Sequence, residues 1–322
     1  MNEATGKKPD LVPDDEGSVD INGFPIHWQK FGHGPTIVLL IPGALGLFVC
    51  LFFIWSISLA FYQKFFSPLT FTLTHTGTAK SDFYVQLTGP LAFDFNRYTF
   101  IAVELPGWGK SRPPKRPYGL DVYDNDVKCC MQLMDHLNYH SYSVLGWSDG
   151  AKVAILLAIL QPSKVQAVAA SGIYVFANKT NILPFLKTQK IETWDKKMRG
   201  NYEEIYGPEL LQQLWDNHCN WCRDLQATIM AVNAAKPELK DLRFAIHNDL
   251  MNGLGRIRCP VLIIHGDKDA LIPLEQPLYC QERIANCTLR RFPDAKHNLH
   301  QTHTMEFRQL IDQFFEDSGD FY

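Results

Sequence analysis

Hydrophobic residues in this chain fall into short unbroken runs, separated by longer stretches with helical spacing. Thr36 to Ile41 is a continuous apolar run that stops at Pro42-Gly43, and Tyr98 to Leu105 is another that stops at Pro106-Gly107-Trp108-Gly109. Ser141 to Leu145, Val165 to Ser171 and Pro260 to Ile264 repeat the pattern, and Thr288 to Phe292 reads as the last strand. Runs of this length and purity predict strands buried on both faces. Leu120 to Leu137, Ala151 to Ala158 and Thr304 to Phe315 carry helical periodicity instead. Val19 to Trp28 reads as a hairpin, because Asn22-Gly23 favours the positive φ angles of a two-residue turn. Strands alternating with helices predict an α/β chain whose mostly parallel sheet is covered on both faces.

Two regions break the alternation. From Asn178 to Gly255 the chain is rich in Trp, Leu, Lys, Glu and Gln at helical spacing, with few strand candidates. It reads as a helical lid inserted into the α/β core, the kind of element that forms a pocket wall. The second region is Leu47 to Gly77, an apolar insertion that begins LFVCLFFIWSISLAFY. Residues 47–66 approach the length of about 20 apolar residues that a membrane helix needs. A span there would interrupt the core between its early strand and first helix. Its Phe/Leu/Ile/Ser/Thr bias and abrupt edges mark the insertion as foreign to the fold, as translated intron would be. The expected division is a disordered polar tail over 1–17, a core over 18–177 and 256–322, and a lid over 178–255.

Composition narrows the function classes. The 322 residues are 46% hydrophobic, as in a well-packed globular protein, and carry a net charge of −3 with no Lys/Arg-rich run. Nucleic acid is therefore not an expected partner. Eight cysteines are scattered, two of them adjacent at Cys129-Cys130, which is not a secreted disulfide framework. A reducing, cytoplasmic compartment is expected. Cys219 and Cys222 form a single C-x-x-C without a second pair at metal spacing, and read as helix-face residues. The first residues lack both the apolar core of a secretory signal and the Arg-rich character of a transit peptide.

The chemistry lies in Gly146-Trp147-Ser148-Asp149-Gly150, set between a strand and a helix. A G-x-S-x-G in that context is a nucleophile elbow, a turn so sharp that only glycine fits beside the serine. Serine is a weak nucleophile at neutral pH and needs a base held by an acid, in the chain order Ser, Asp, His. The strand ending at Ile264 runs into His265-Gly266-Asp267-Lys268-Asp269, where Asp269 is the preferred acid and Asp267 the fallback. The loop before the last helix holds Lys296-His297-Asn298-Leu299-His300. His297 is the expected base, with His300 and His303 as competitors; His265 is expected to be structural. The oxyanion hole needs two backbone N–H groups, assigned to Asp149 and to Ala44 in the turn after the early strand. The Asp149 side chain has two readings. Facing the pocket it would attract an acyl group bearing an ammonium; otherwise it would favour the helix N-terminus.

These residues resemble the valacyclovir hydrolase, or biphenyl hydrolase-like, group of α/β-hydrolases. The resemblance rests on the G-W-S-D-G at 146–150, on His265-Gly266-Asp267-Lys268-Asp269 and on Lys296-His297-Asn298-Leu299-His300, with support from Gly107 to Pro114. It implies a serine esterase acting on α-amino acid esters through an acyl-serine, without metal or organic cofactor; a monomer is expected. Ser148, Asp269 and His297 would form the triad, and Asp149 would receive the substrate's ammonium. It also implies that some members are mitochondrial. The chain departs from the group at Leu47 to Gly77; a real insertion there would bring membrane attachment into play and would crowd Ala44. Two other readings compete. One is a carbon–carbon bond hydrolase of the ring-cleavage type, whose anionic substrates Asp149 disfavours. The other is a non-catalytic binding protein of the same fold, should the insertion disrupt the oxyanion hole.

Overall fold

A computed structural model describes residues 12–46, 82–177, 182–194, 196–235, 244–245, 250 and 252–319. The apolar insertion 47–77 lies outside the described residues. Among the described residues no helix is long and apolar enough to cross a membrane.

Eight strands form one sheet: β1 (Asp15–Ile21), β2 (Phe24–Phe31), β3 (Thr36–Ile41), β4 (Tyr98–Val103), β5 (Tyr142–Trp147), β6 (Val165–Ser171), β9 (Val261–Gly266) and β10 (Cys287–Phe292). Their order is β1-β2-β4-β3-β5-β6-β9-β10. β2 is antiparallel to both β1 and β4, and the remaining pairs are parallel. The hairpin between β1 and β2 turns at Asn22 (φ 56°) and Gly23 (φ 80°), as its sequence requires. The polar start does not stay free up to residue 17. β1 begins at Asp15, and the Glu16 carboxylate accepts a hydrogen bond from the Gln29 amide at 2.9 Å. Cross-strand pairing overrides the polar composition there.

The apolar runs are strands because each side of the sheet needs its own core. Leu39, Ile41, Ile101, Val103, Val144, Val261 and Ile263 point to one side. Val38, Leu40, Phe100, Ala102, Leu145, Leu262 and Ile264 point to the other. Every second residue feeds a different core, so no polar alternation survives. The first core is closed by α2 (Val122–His136) and α3 (Asp149–Leu160). The second is closed by Phe83 and Leu87, the latter in α1 (Tyr84–Leu87), and by α8 (Thr304–Gly319) through Phe307, Ile311 and Phe315.

Between β6 and β9 the described chain is largely helical. It contains α4 (Leu183–Leu186) and a 40-residue stretch, α5 (Lys196–Ala235), bent at Gly207 and Pro208. A short antiparallel ribbon, β7 (Phe176–Ala177) with β8 (Phe244–Ala245), lies outside the main sheet. α5 is tied across the molecule. Its Tyr206 hydroxyl accepts a hydrogen bond from Gly109 N–H at 2.8 Å, and its Trp221 indole donates to the Gly119 carbonyl at 3.2 Å. α6 (Glu275–Arg283) connects β9 to β10, and the short α7 (Leu299–Thr302) precedes α8.

Candidate active site

Ser148 sits between the end of β5 and the start of α3, with φ 56° and ψ −116°. Such a conformation costs on the order of 1–3 kcal/mol for a non-glycine residue. The flanking glycines make it attainable. A Cβ at Gly146 would lie 2.3 Å from the Gly150 carbonyl oxygen, and one at Gly150 would lie 2.1 Å from the Ile41 oxygen. Ser148 is further fixed by its own N–H, which donates to the Ser171 carbonyl at 2.9 Å.

His297 Nε2 lies 3.1 Å from Ser148 Oγ, and its Nδ1 lies 2.7 Å from Asp269 Oδ2. Burial raises the pKa of the Asp269 carboxyl, but the charge of His297, its hydrogen bond and the N–H groups of Ile272 and Leu271 outweigh it, so the net shift is downward. An ionised Asp269 only accepts, so Nδ1 carries the proton and Nε2 is left to accept from the serine hydroxyl. Asp269 Oδ1 is itself held by the Leu271 and Ile272 N–H groups at 2.8 and 2.9 Å, which turns Oδ2 towards the imidazole.

The other candidates are occupied elsewhere. Asp267 forms a two-pronged bond with Arg291 at 2.8 and 2.9 Å. His300 donates through Nε2 to the Asp82 carbonyl at 3.0 Å, and burial lowers its pKa to about 3. His303 contacts Thr302 Oγ1. His265 is buried at the end of β9, with its pKa lowered by burial.

The turn after β3 is where the sequence places one oxyanion donor. A Cβ at Gly43 would lie 3.2 Å from Ser148 Cβ, so this turn packs directly against the nucleophile. Ala44 follows, buried, as the first residue of a 3-10 turn. Asp149 opens α3, where a helix leaves its first N–H groups without intrahelical acceptors. Sequence reasoning did not find Asp82. Its Oδ2 accepts from Gly43 N–H at 3.0 Å, while its carbonyl accepts from His300 and from the Gln301 amide, both at 3.0 Å.

Sequence reasoning also missed what surrounds the Asp149 side chain. Lys152 Nζ lies 2.5 Å from Asp149 Oδ1 and 2.7 Å from the Tyr123 hydroxyl, which in turn donates to Asp149 at 3.1 Å. Burial alone would raise the Asp149 pKa; neighbouring groups led by the Lys152 ammonium, with His218 and Arg116 behind it, together outweigh this and hold it well below the usual carboxylate range. The carboxylate expected to meet a substrate ammonium is thus already paired within the chain.

A family model described as alpha/beta hydrolase fold matches residues 70–223. The chain folds as an α/β-hydrolase. It resembles the valacyclovir hydrolase, or biphenyl hydrolase-like, group of that fold. Mouse serine hydrolase BPHL is 27% identical over 298 residues, covering 92% of this chain and 85% of the mouse protein. The human protein of the same name is 26% identical over 300 residues, with the same coverage. Among solved structures, a serine hydrolase from the hydrocarbon-degrading bacterium Cycloclasticus zankles superposes with a TM-score of 0.61 at 18% identity, covering 94% of this chain and 98% of the other.

Proposed function

We propose that this α/β-hydrolase is a serine hydrolase of carboxylic esters, working through an acyl-Ser148 intermediate. The reading rests on one observation: the unbroken hydrogen-bonded line from Asp269 through His297 to Ser148. The BPHL relatives, named as serine hydrolases, support it.

In the first half-reaction His297 Nε2 takes the hydroxyl proton as Ser148 Oγ bonds to the ester carbon. Negative charge gathers on the carbonyl oxygen, and the N–H groups of Ala44 and Asp149 receive it. Collapse breaks the carbon–oxygen bond, and the alcohol leaves with the proton from His297. Water then gives a proton to His297 and attacks the acyl carbon. The acid departs as that proton returns to Oγ. The scheme needs no metal or organic cofactor. The helical stretch described over 182–235 serves as the lid that closes the acyl side.

α-Amino acid esters are the substrates that the resemblance brings to this site, through Asp149. The Lys152 contact weighs against that finer reading. The esterase reading is tested with p-nitrophenyl esters and a fluorophosphonate probe. Turnover and labelling of wild type, both lost in Ser148→Ala with an unchanged circular dichroism spectrum, are expected. Undiminished turnover in Ser148→Ala would end the proposal.

A further inference from the structure

Asp149 and its neighbours have the makings of an ammonium receptor. A carboxylate and the faces of two tyrosine rings are the groups that recognise an alkylammonium. Here the guest is part of the chain. Lys152 Nζ lies 4.7 Å from the centroid of the Tyr123 ring and 5.2 Å from that of Tyr174, besides its bonds to Asp149 Oδ1 and the Tyr123 hydroxyl. Its side chain is 6% exposed and that of Asp149 is 9% exposed.

The place and the charge balance give this contact its meaning. Asp149 is the residue after the nucleophile, and Lys152 stands one turn along α3. The cluster is roofed by α5. There His218 stacks on Trp215 and contacts the Tyr118 hydroxyl at 3.3 Å, and Trp221 packs against Tyr123. Beyond Lys152 lies a second buried pair, in which Arg116 grips Asp126 through two bonds at 2.9 and 2.6 Å. Two cations therefore face two carboxylates. Burial lowers the His218 pKa to about 4, so that ring adds no charge at neutral pH. An incoming ammonium meets no uncompensated negative charge and a like charge already in place, so it would lose its hydration without return.

We propose that Lys152 fills the ammonium subsite beside Ser148, and that the enzyme favours esters with an uncharged acyl group over α-amino acid esters. The proposal rests on the esterase reading above and sets its acyl class. It makes Lys152 a specificity-determining residue that need not touch the reacting atoms.

The test compares the p-nitrophenyl esters of L-valine and of 3-methylbutanoic acid, its counterpart without the amino group, at pH 7. Each kcat/KM is divided by the ester's own hydroxide-catalysed rate, since the ammonium activates the carbonyl chemically. In wild type the normalised ratio of valine ester to uncharged ester is expected below one. In Lys152→Met it is expected to rise about 10- to 100-fold, the range of one charge-assisted hydrogen bond. Lys152→Gln, which keeps a donor to Asp149 and most of the volume, should move the ratio in the same direction should the methionine variant fail to fold. A wild-type ratio above one overturns the proposal without reference to any variant, as does an unchanged ratio in a folded Lys152→Met. Failure to turn over either ester, with no fluorophosphonate labelling of Ser148, would instead sink the esterase reading itself.

Discussion

Gly172 is the position where a single methyl group should separate catalysis from folding. It follows β6 with φ +64°, and its N–H donates to the Ile264 carbonyl at 3.1 Å. A Cβ there would lie 2.8 Å from His297 Cε1 and 3.1 Å from Nδ1. Carbon atoms pack at about 3.5–4.0 Å, so the ring in Gly172→Ala must retreat by about 0.7 Å or more. It has no slack to do so. Nδ1 is bonded to Asp269, the ring rests on Trp147 with centroids 5.3 Å apart, and the His297 carbonyl accepts from the Trp147 indole at 3.0 Å. The retreat is therefore taken from the 3.1 Å contact with Ser148. A misplacement near 1 Å costs up to about 100-fold in rate, so kcat should fall roughly 30- to 100-fold with KM within about threefold. The left-handed backbone adds about 1–2 kcal/mol of instability, or about 1.5–3 °C in Tm. Gly23→Ala supplies the control. Gly23 also has positive φ, at +80°, but nothing lies within 4 Å of its Cβ position. It should lose comparable Tm and keep its kcat. Steady-state kinetics on a p-nitrophenyl ester, with thermal melts, decide the matter. A Gly172→Ala enzyme retaining kcat within twofold of wild type would refute the reasoning.

Two further predictions address the acid and a buried carboxyl. Asp269→Asn should keep the fold, because an amide oxygen can still accept from Leu271 and Ile272. It should lower kcat about 10³- to 10⁴-fold by favouring the wrong imidazole tautomer; a loss below tenfold counts against the assigned acid. Glu104 is buried, and burial raises its pKa from 4.5 to about 7, against the Lys110 N–H that lowers it. Below pH 4.5 both states hold the proton. Between 4.5 and 7 the unfolded chain gives it up first, so stability falls as pH rises, by about 3 kcal/mol at most. Glu104→Gln lacks that loss, so its Tm advantage should grow from pH 4.5 to pH 8, and a pH-independent difference would contradict the assignment.

Much of this architecture is legible in the chain. β3 and β6 coincide residue for residue with the runs read from the chain, because burial on both faces keeps them largely apolar; Gln166, near the start of β6, is half-buried and bonds to Ser141. Helix α3 extends to both sides of Ala151 to Ala158, since its first turn overlaps the elbow motif. Asp269 is preferred over Asp267 from the sequence, yet the two leave the same strand two residues apart and spacing alone does not exclude the fallback. What separates them is a turn: Asp269 caps the amides two and three positions on, whereas Asp267 reaches outwards to Arg291. Lys152 was missed although a signal for it exists. It is the one cation in an otherwise apolar helical run, Ala151 to Ile159. A helix that is apolar all round is buried, and a buried lysine must be paired. Its partners Tyr123 and Tyr174 lie too far along the chain for spacing to reveal them. Asp82 gave no signal at all, because its role depends on bringing Gly43, His300 and Gln301 together in space.

The two sides of Ser148 are built from different elements, and this decides what each can control. On the base side, β6 supplies Gly172, β9 leads to Asp269, and the loop after β10 carries His297. Asp82 ties that loop to the oxyanion turn, since it holds Gly43 through its side chain and His300 and Gln301 through its carbonyl. Trp147 adds a second tie, bonded to the His297 carbonyl and packed against the His300 ring at 4.8 Å. The base loop and the turn after β3 are thus fixed to one another, the preorganisation that acyl transfer demands. On the acyl side, α2, α3 and α5 supply Tyr123, Lys152 and His218, none of which bonds to the base-side group. A change in Lys152 alters the charge that an acyl group meets and leaves the imidazole's supports in place. A change in Gly172 moves the imidazole and leaves the charge cluster intact. Rate and acyl preference are therefore expected to answer to separate side chains, with Lys152 at the place proposed for a cationic acyl group.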